Sequence, residues 1–111
     1  MIEKTVIDYL SEFIPTFAEA PEQPPTDGRY CIVERTGGGR KNQIRSATLA
    51  VRCHADTMAG AAALCEQVEG WMGGLVSLPS IARCALNSSF NNTDDRKKQY
   101  RYQAVFSVVY Y

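Results

Sequence analysis

The segment Gln99-Tyr100-Arg101-Tyr102-Gln103-Ala104-Val105-Phe106-Ser107-Val108-Val109-Tyr110-Tyr111 is dense in aromatic and β-branched residues, the types that fit a pleated, half-buried surface. Its side chains alternate. Tyr100, Tyr102, Ala104, Phe106, Val108 and Tyr110 fall on one face, against Arg101, Gln103, Val105, Ser107, Val109 and Tyr111 on the other. A strand of this length belongs in the middle of a sheet or at a seam between molecules.

Working outward, a second period-two pattern spans 44–55, where Ala47, Leu49, Val51 and Cys53 alternate with Thr48, Ala50, Arg52 and His54. The β-rich run Arg29 to Arg35 precedes it, and Gly37-Gly38-Gly39 between them supplies the backbone freedom for a reversal, so a glycine-tipped hairpin is predicted. Asp56 or Thr57 caps a helix over 57–73, with Met58, Ala61, Ala62, Cys65, Val68 and Met72 at helical intervals. Ile2, Val6, Tyr9, Leu10 and Phe13 give one apolar helical face over 2–14, which Pro15 stops. A short strand is expected over 16–20, a proline-rich loop over 21–28, a short strand over 81–86 and a polar loop over 87–98. The expected order is α-β-β-β-α-β-β, an α+β fold with a mostly antiparallel sheet and two helices on one face.

The 111 residues suit one domain with one modest core. No apolar run approaches membrane-spanning length, and Met1-Ile2-Glu3-Lys4-Thr5 lacks the pattern of a secretion signal, so an intracellular, soluble protein with no membrane partner is expected. The net charge is zero, yet residues 1–28 hold six acids against Lys4, a balance of −5, and residues 29–55 hold six bases against Glu34, a balance of +5. Such segregation either steers one copy onto another or cancels within one domain. Cys31, Cys53, Cys65 and Cys84 form no CxxC pair and are read as reduced thiols.

No catalytic constellation is found, and no cofactor or metal is called for. His54 is the sole histidine, and Asp56 two residues on is not enough to make it a site. Thr36-Gly37-Gly38-Gly39-Arg40-Lys41 departs from a phosphate-binding loop, because it joins two strands and lacks the Ser or Thr after lysine. Six bases in a neutral chain are weak support for phosphate-backbone contact, so sequence-specific nucleic-acid binding is not expected. A small nucleic-acid-binding or regulatory module using the basic hairpin 29–55 stands as the alternative reading. The candidate intermolecular contacts are Gly37, Gly38, Gly39, Arg40 and Lys41, and Asn91, Asn92, Asp94, Asp95 and Arg96.

The opening Ile2-Glu3-Lys4-Thr5-Val6-Ile7-Asp8-Tyr9-Leu10, the stretch Tyr30-Cys31-Ile32-Val33-Glu34-Arg35-Thr36-Gly37-Gly38-Gly39, and the stretches Leu86-Asn87-Ser88, Asn92-Thr93-Asp94 and Tyr100-Arg101-Tyr102-Gln103-Ala104-Val105-Phe106 together resemble small phage and prophage tail-completion proteins. The resemblance implies a tail-terminator-like subunit that assembles with itself as a ring of six, caps the tail tube and presents a head-joining surface. It further implies a tail tube protein and a head-tail connector as partners, and residence in the host cytoplasm during assembly and then in the virion tail. Neck and head-completion proteins share this size and broad fold, so the resemblance leaves the joint open.

Overall fold

A computed structural model describes residues 1–41, 44–94, 96 and 99–111. In chain order the elements are α1 (Ile2–Leu10), β1 (Thr16–Phe17), β2 (Tyr30–Lys41), β3 (Ile44–Ala55), α2 (Met58–Gly73), a 3₁₀ turn at Leu75–Ser77, β4 (Ile81–Asn91) and β5 (Tyr100–Tyr110). The fold is α+β, and the five strands lie in the order β1-β2-β3-β5-β4, antiparallel apart from the β1–β2 pair. The expected order of elements holds. β5 is paired on both sides, by β3 and by β4, as its length and alternation required.

One face of the sheet carries the core. Cys31 and Val33 of β2, Ala47, Leu49, Val51 and Cys53 of β3, and Ala104, Phe106 and Val108 of β5 are buried in a single cluster with Ile2, Val6 and Leu10 of α1 and Leu64, Cys65, Val68 and Met72 of α2. Both helices therefore lie on that face. Thr57 begins α2 in extended backbone, and its hydroxyl accepts from the Gly60 amide at 2.9 Å, satisfying one of the donors a helix start leaves open. Cys31, Cys53 and Cys65 are buried free thiols, and Cys84 is half-buried. Among the described residues, no helix is long and apolar enough to cross a membrane.

Three boundaries depart from the sequence reading. The helix expected over 2–14 is α-helical only over Ile2–Leu10. Glu12 and Phe13 then donate to carbonyls three residues back, because Pro15 disfavours helix at the residue before it and the last turn tightens. That tightening lays Phe13 against Trp71, with ring centroids 5.1 Å apart and planes 12° from parallel. The strand expected over 16–20 is only Thr16–Phe17.

The glycines do not form the hairpin tip. Gly37, Gly38 and Gly39 pair with Thr48, Ala47 and Ser46 inside β2, and Lys41 pairs with Ile44, so the chain reverses after Lys41. Their freedom is spent on an irregularity between Arg35 and Gly37, where Gly38 takes φ +152° and a Cβ would stand 2.4 Å from the Ser46 carbonyl oxygen. At the other hairpin, residues 87–91 were expected in a loop, yet β4 runs to Asn91, with Ser88, Ser89, Phe90 and Asn91 paired to Val105, Ala104, Gln103 and Tyr102. Pairing with the strong β5 template overrides the weak strand preference of Asn and Ser.

The loop over 18–29 returns the chain from β1 to the start of β2 and is pinned by Gly28 at φ +70°. A Cβ there would lie 2.1 Å from Asp56 Oδ1. Gly28→Ala is therefore expected to cost about 1–3 kcal/mol, from backbone strain plus the clash. Urea denaturation checks this, and adding Asp56→Ala should recover only the steric part.

Candidate functional site

No helix packs on the sheet face opposite α1 and α2 among the described residues, although Ile32, Ala50 and His54 are buried there. Three strands meet there in register, with Tyr30 of β2 opposite His54 of β3 and His54 opposite Arg101 of β5. In the next row on the same face, Ile32, Arg52 and Gln103 are aligned, and beyond it Glu34, Ala50 and Val105. The loop after β1 walls one side through Ala18, Glu19 and Ala20, enclosing a hollow of about 350 Å³ whose floor carries Tyr30, Arg52, His54 and Arg101.

The Tyr30 ring stacks on the His54 imidazole at a centroid separation of 4.6 Å and an angle of 5°. His54 is 9% exposed, and its Nε2 is buried without a hydrogen-bond partner among the described residues. Burial first, and then the Arg101 and Arg52 guanidiniums, lower its pKa from 6.5 to about 4. Burial raises the Tyr30 phenol, with Arg101 opposing. Arg52 pairs with Glu34, while Arg101 donates from Nε to the Asn92 carbonyl at 2.7 Å. The imidazole is therefore neutral at pH 7 and sits in a net positive field.

His54 and Asp56, two residues apart in the sequence, are not joined as a hydrogen-bonded acid-base pair. The Asp56 carboxylate lies against Gly28, and no His54–Asp56 hydrogen bond forms among the described residues. Nor do the described residues contain a group of three or more His, Cys, Asp or Glu placed to hold a metal.

The candidate contact residues fall into two separate places. Gly37, Gly38, Gly39, Arg40 and Lys41 are exposed strand residues at the end of the sheet where β3 begins and β5 finishes. Asn91, Asn92, Asp94 and Arg96 lie at the opposite end, where β5 starts; Asp95, like Lys97 and Lys98, lies outside the described residues. Several of the latter side chains serve the turn itself. Asn91 Oδ1 accepts from the Thr93 amide at 3.0 Å, Asn92 Nδ2 donates to Gln103 Oε1 at 3.1 Å, and Asp94 Oδ1 accepts from the Arg96 amide at 3.1 Å. Asn91, exposed on β4, and Arg96, exposed in the turn, remain presented outward, while Asn92 and Asp94 are half-buried.

Sequence reading did not assemble Tyr30, Arg52, His54 and Arg101 into one place. The alternation of β3 and β5 puts Arg52 with His54 and isolates Arg101 on a polar face, which is the available signal; the register that joins them is a tertiary fact.

Fold and site together define a small α+β domain with a polar hollow on the sheet face opposite its helices and, among the described residues, open edges at β4 and along β2 from Val33 onward. No protein-family model matches the chain, and no curated protein matches it.

Proposed function

We propose that this chain is a structural assembly subunit of a phage or prophage tail, a tail-terminator-like protein that joins copies of itself into a ring of six, caps the tail tube and offers the head-joining surface. It performs no turnover in this reading. Its partners are further copies, the tail tube protein and a head-tail connector, first in the host cytoplasm and then in the virion.

The observation that carries the reading is a domain elongated to 45 Å, against 24 and 23 Å across, with an exposed basic cluster at one end of its sheet and exposed acids in the loop toward the other. Arg35, Arg40, Lys41 and Arg45 are exposed toward one end of the sheet. Glu19, Glu22 and Asp27 are exposed in the loop between β1 and β2, with Glu19 on the rim of the hollow whose floor also carries Arg52 and Arg101. Charges held at opposite ends cannot neutralise each other within one molecule beyond a Debye length of about 8 Å, but they meet when copies associate head to tail. A head-to-tail contact that closes on itself makes a ring. The outer side of β4, and that of β2 from Val33 onward, have no neighbouring strand among the described residues and add backbone groups for such contacts.

Light scattering at low and high salt tests this. Association that weakens with salt is expected, and Arg40→Glu with Lys41→Glu should weaken it by about tenfold or more. A strict monomer at every concentration, with no binding to tail tube protein, overturns the reading. Salt-sensitive retention of nucleic acid on filters in place of self-association would favour the module that uses hairpin 29–55.

A further inference from the structure

We propose that the hollow on the open sheet face is an oxyanion site for one carboxylate or phosphate group, held by the Arg101 and Arg52 guanidiniums with the His54 ring nitrogen beneath it. This goes beyond the assembly reading and stands whether or not that reading does.

Four observations converge on it. The hollow offers about 350 Å³, room for one small charged group and its immediate substituent. Arg52 and Arg101 flank His54 on the same face, one on its own strand and one on the strand opposite. Arg101 makes no ion pair among the described residues, its Nε being committed to a backbone carbonyl, which orients the guanidinium and leaves its planar fork for an oxygen ligand. His54 is buried with an orphaned Nε2, a polar atom that ordinarily has a partner in a folded protein.

The acids around the hollow set its selectivity. Glu34 is paired to Arg52, and Glu19 stands on the rim. They leave one oxyanion welcome and repel an extended polyanion, so a single carboxylate or phosphate fits and a nucleic-acid backbone does not. Across the end of β3, Asp56 is turned toward Gly28. Neither Glu19, Glu34 nor Asp56 offsets the positive field that Arg101 and Arg52 exert on the imidazole. Tyr30, stacked on the ring, holds its plane in place.

An oxyanion between the guanidiniums cancels that field and so favours the protonated ring. Affinity therefore rises as the pH falls through about 5 toward 4, the range in which the free ring begins to take up its proton.

His54 is the only histidine, so its imidazole resonances report the site without assignment ambiguity. The experiment titrates dilute protein with inorganic phosphate, and separately with acetate, at constant ionic strength held by potassium chloride. A saturable shift of the His54 signals is expected, with its titration point raised by about one unit, equal to tenfold tighter binding of the protonated form. Arg101→Gln should raise the half-saturating concentration at least tenfold. Arg52→Gln provides the second variant should loss of the Asn92 contact unfold the first, and Lys4→Gln, on the far surface of α1, should bind as the parent does. If phosphate also dissociates self-associated protein at unchanged ionic strength, the natural oxyanion is a carboxylate of another copy; if association is untouched, it is a small molecule. A shift that chloride reproduces without saturation, or unchanged binding in both arginine variants, overturns the proposal.

Discussion

Phe106→Ala is expected to remove about 3–5 kcal/mol of folding stability, most of what a domain of this size possesses, and to leave the chain largely unfolded near 50 °C. Phe106 is 2% exposed and lies on β5, an interior strand, between Leu49 of β3 and Leu86 of β4. Its ring joins the buried cluster that α1 and α2 complete, so truncation both forfeits apolar burial and opens a cavity that a sheet paired on both sides cannot collapse to fill. Urea titration followed by circular dichroism measures the loss. Phe106→Leu, which keeps most of the volume, should cost about 1–1.5 kcal/mol. Equal losses for the two variants would mean that ring shape, not volume, holds the site.

The second large effect is on pH dependence. In the unfolded chain His54 takes up its proton around the ordinary value of 6.5, whereas in the folded chain it does so only near 4. Between those values the unfolded state binds more protons, so stability is full above pH 6.5 and falls as the pH drops toward 4. The shift corresponds to about 3 kcal/mol across that window. The main cause is burial of the ring, stacked against Tyr30, and the Arg101 and Arg52 guanidiniums beside it add to the effect. Thermal melts between pH 7.5 and 4 in chloride buffers check this. His54→Gln, which cannot titrate, should show a slope smaller by that amount. An identical slope in the variant would place the acid sensitivity elsewhere.

Both effects arise from the same sheet, read from its two faces. Phe106 and Cys53 point to the helices, while His54, next to Cys53 on β3, and Arg101, further along β5, point away. An apolar face this regular needs nothing from a ligand. The opposite face keeps a buried imidazole with two guanidiniums beside it, and the anion site proposed above is built on these.

The amino-acid sequence by itself determined the kinds of element and their order. β5 was legible because thirteen consecutive residues alternate with aromatic and β-branched side chains, and α2 because Thr57 caps an apolar helical stripe. These signals are local, since period and capping depend on residues within a few positions of each other. Where pairing decides, local signals misled. The Gly37-Gly38-Gly39 run has the composition of a turn yet lies within β2, and the Asn87–Asn91 run has that of a loop yet extends β4. In each the partner strand supplies the backbone hydrogen bonds, and their register outweighs the preferences of the residues. The hollow is wholly a product of that register: Tyr30, His54 and Arg101 are distant along the chain, and only the alignment of β2, β3 and β5 places one ring under another and a guanidinium beside both.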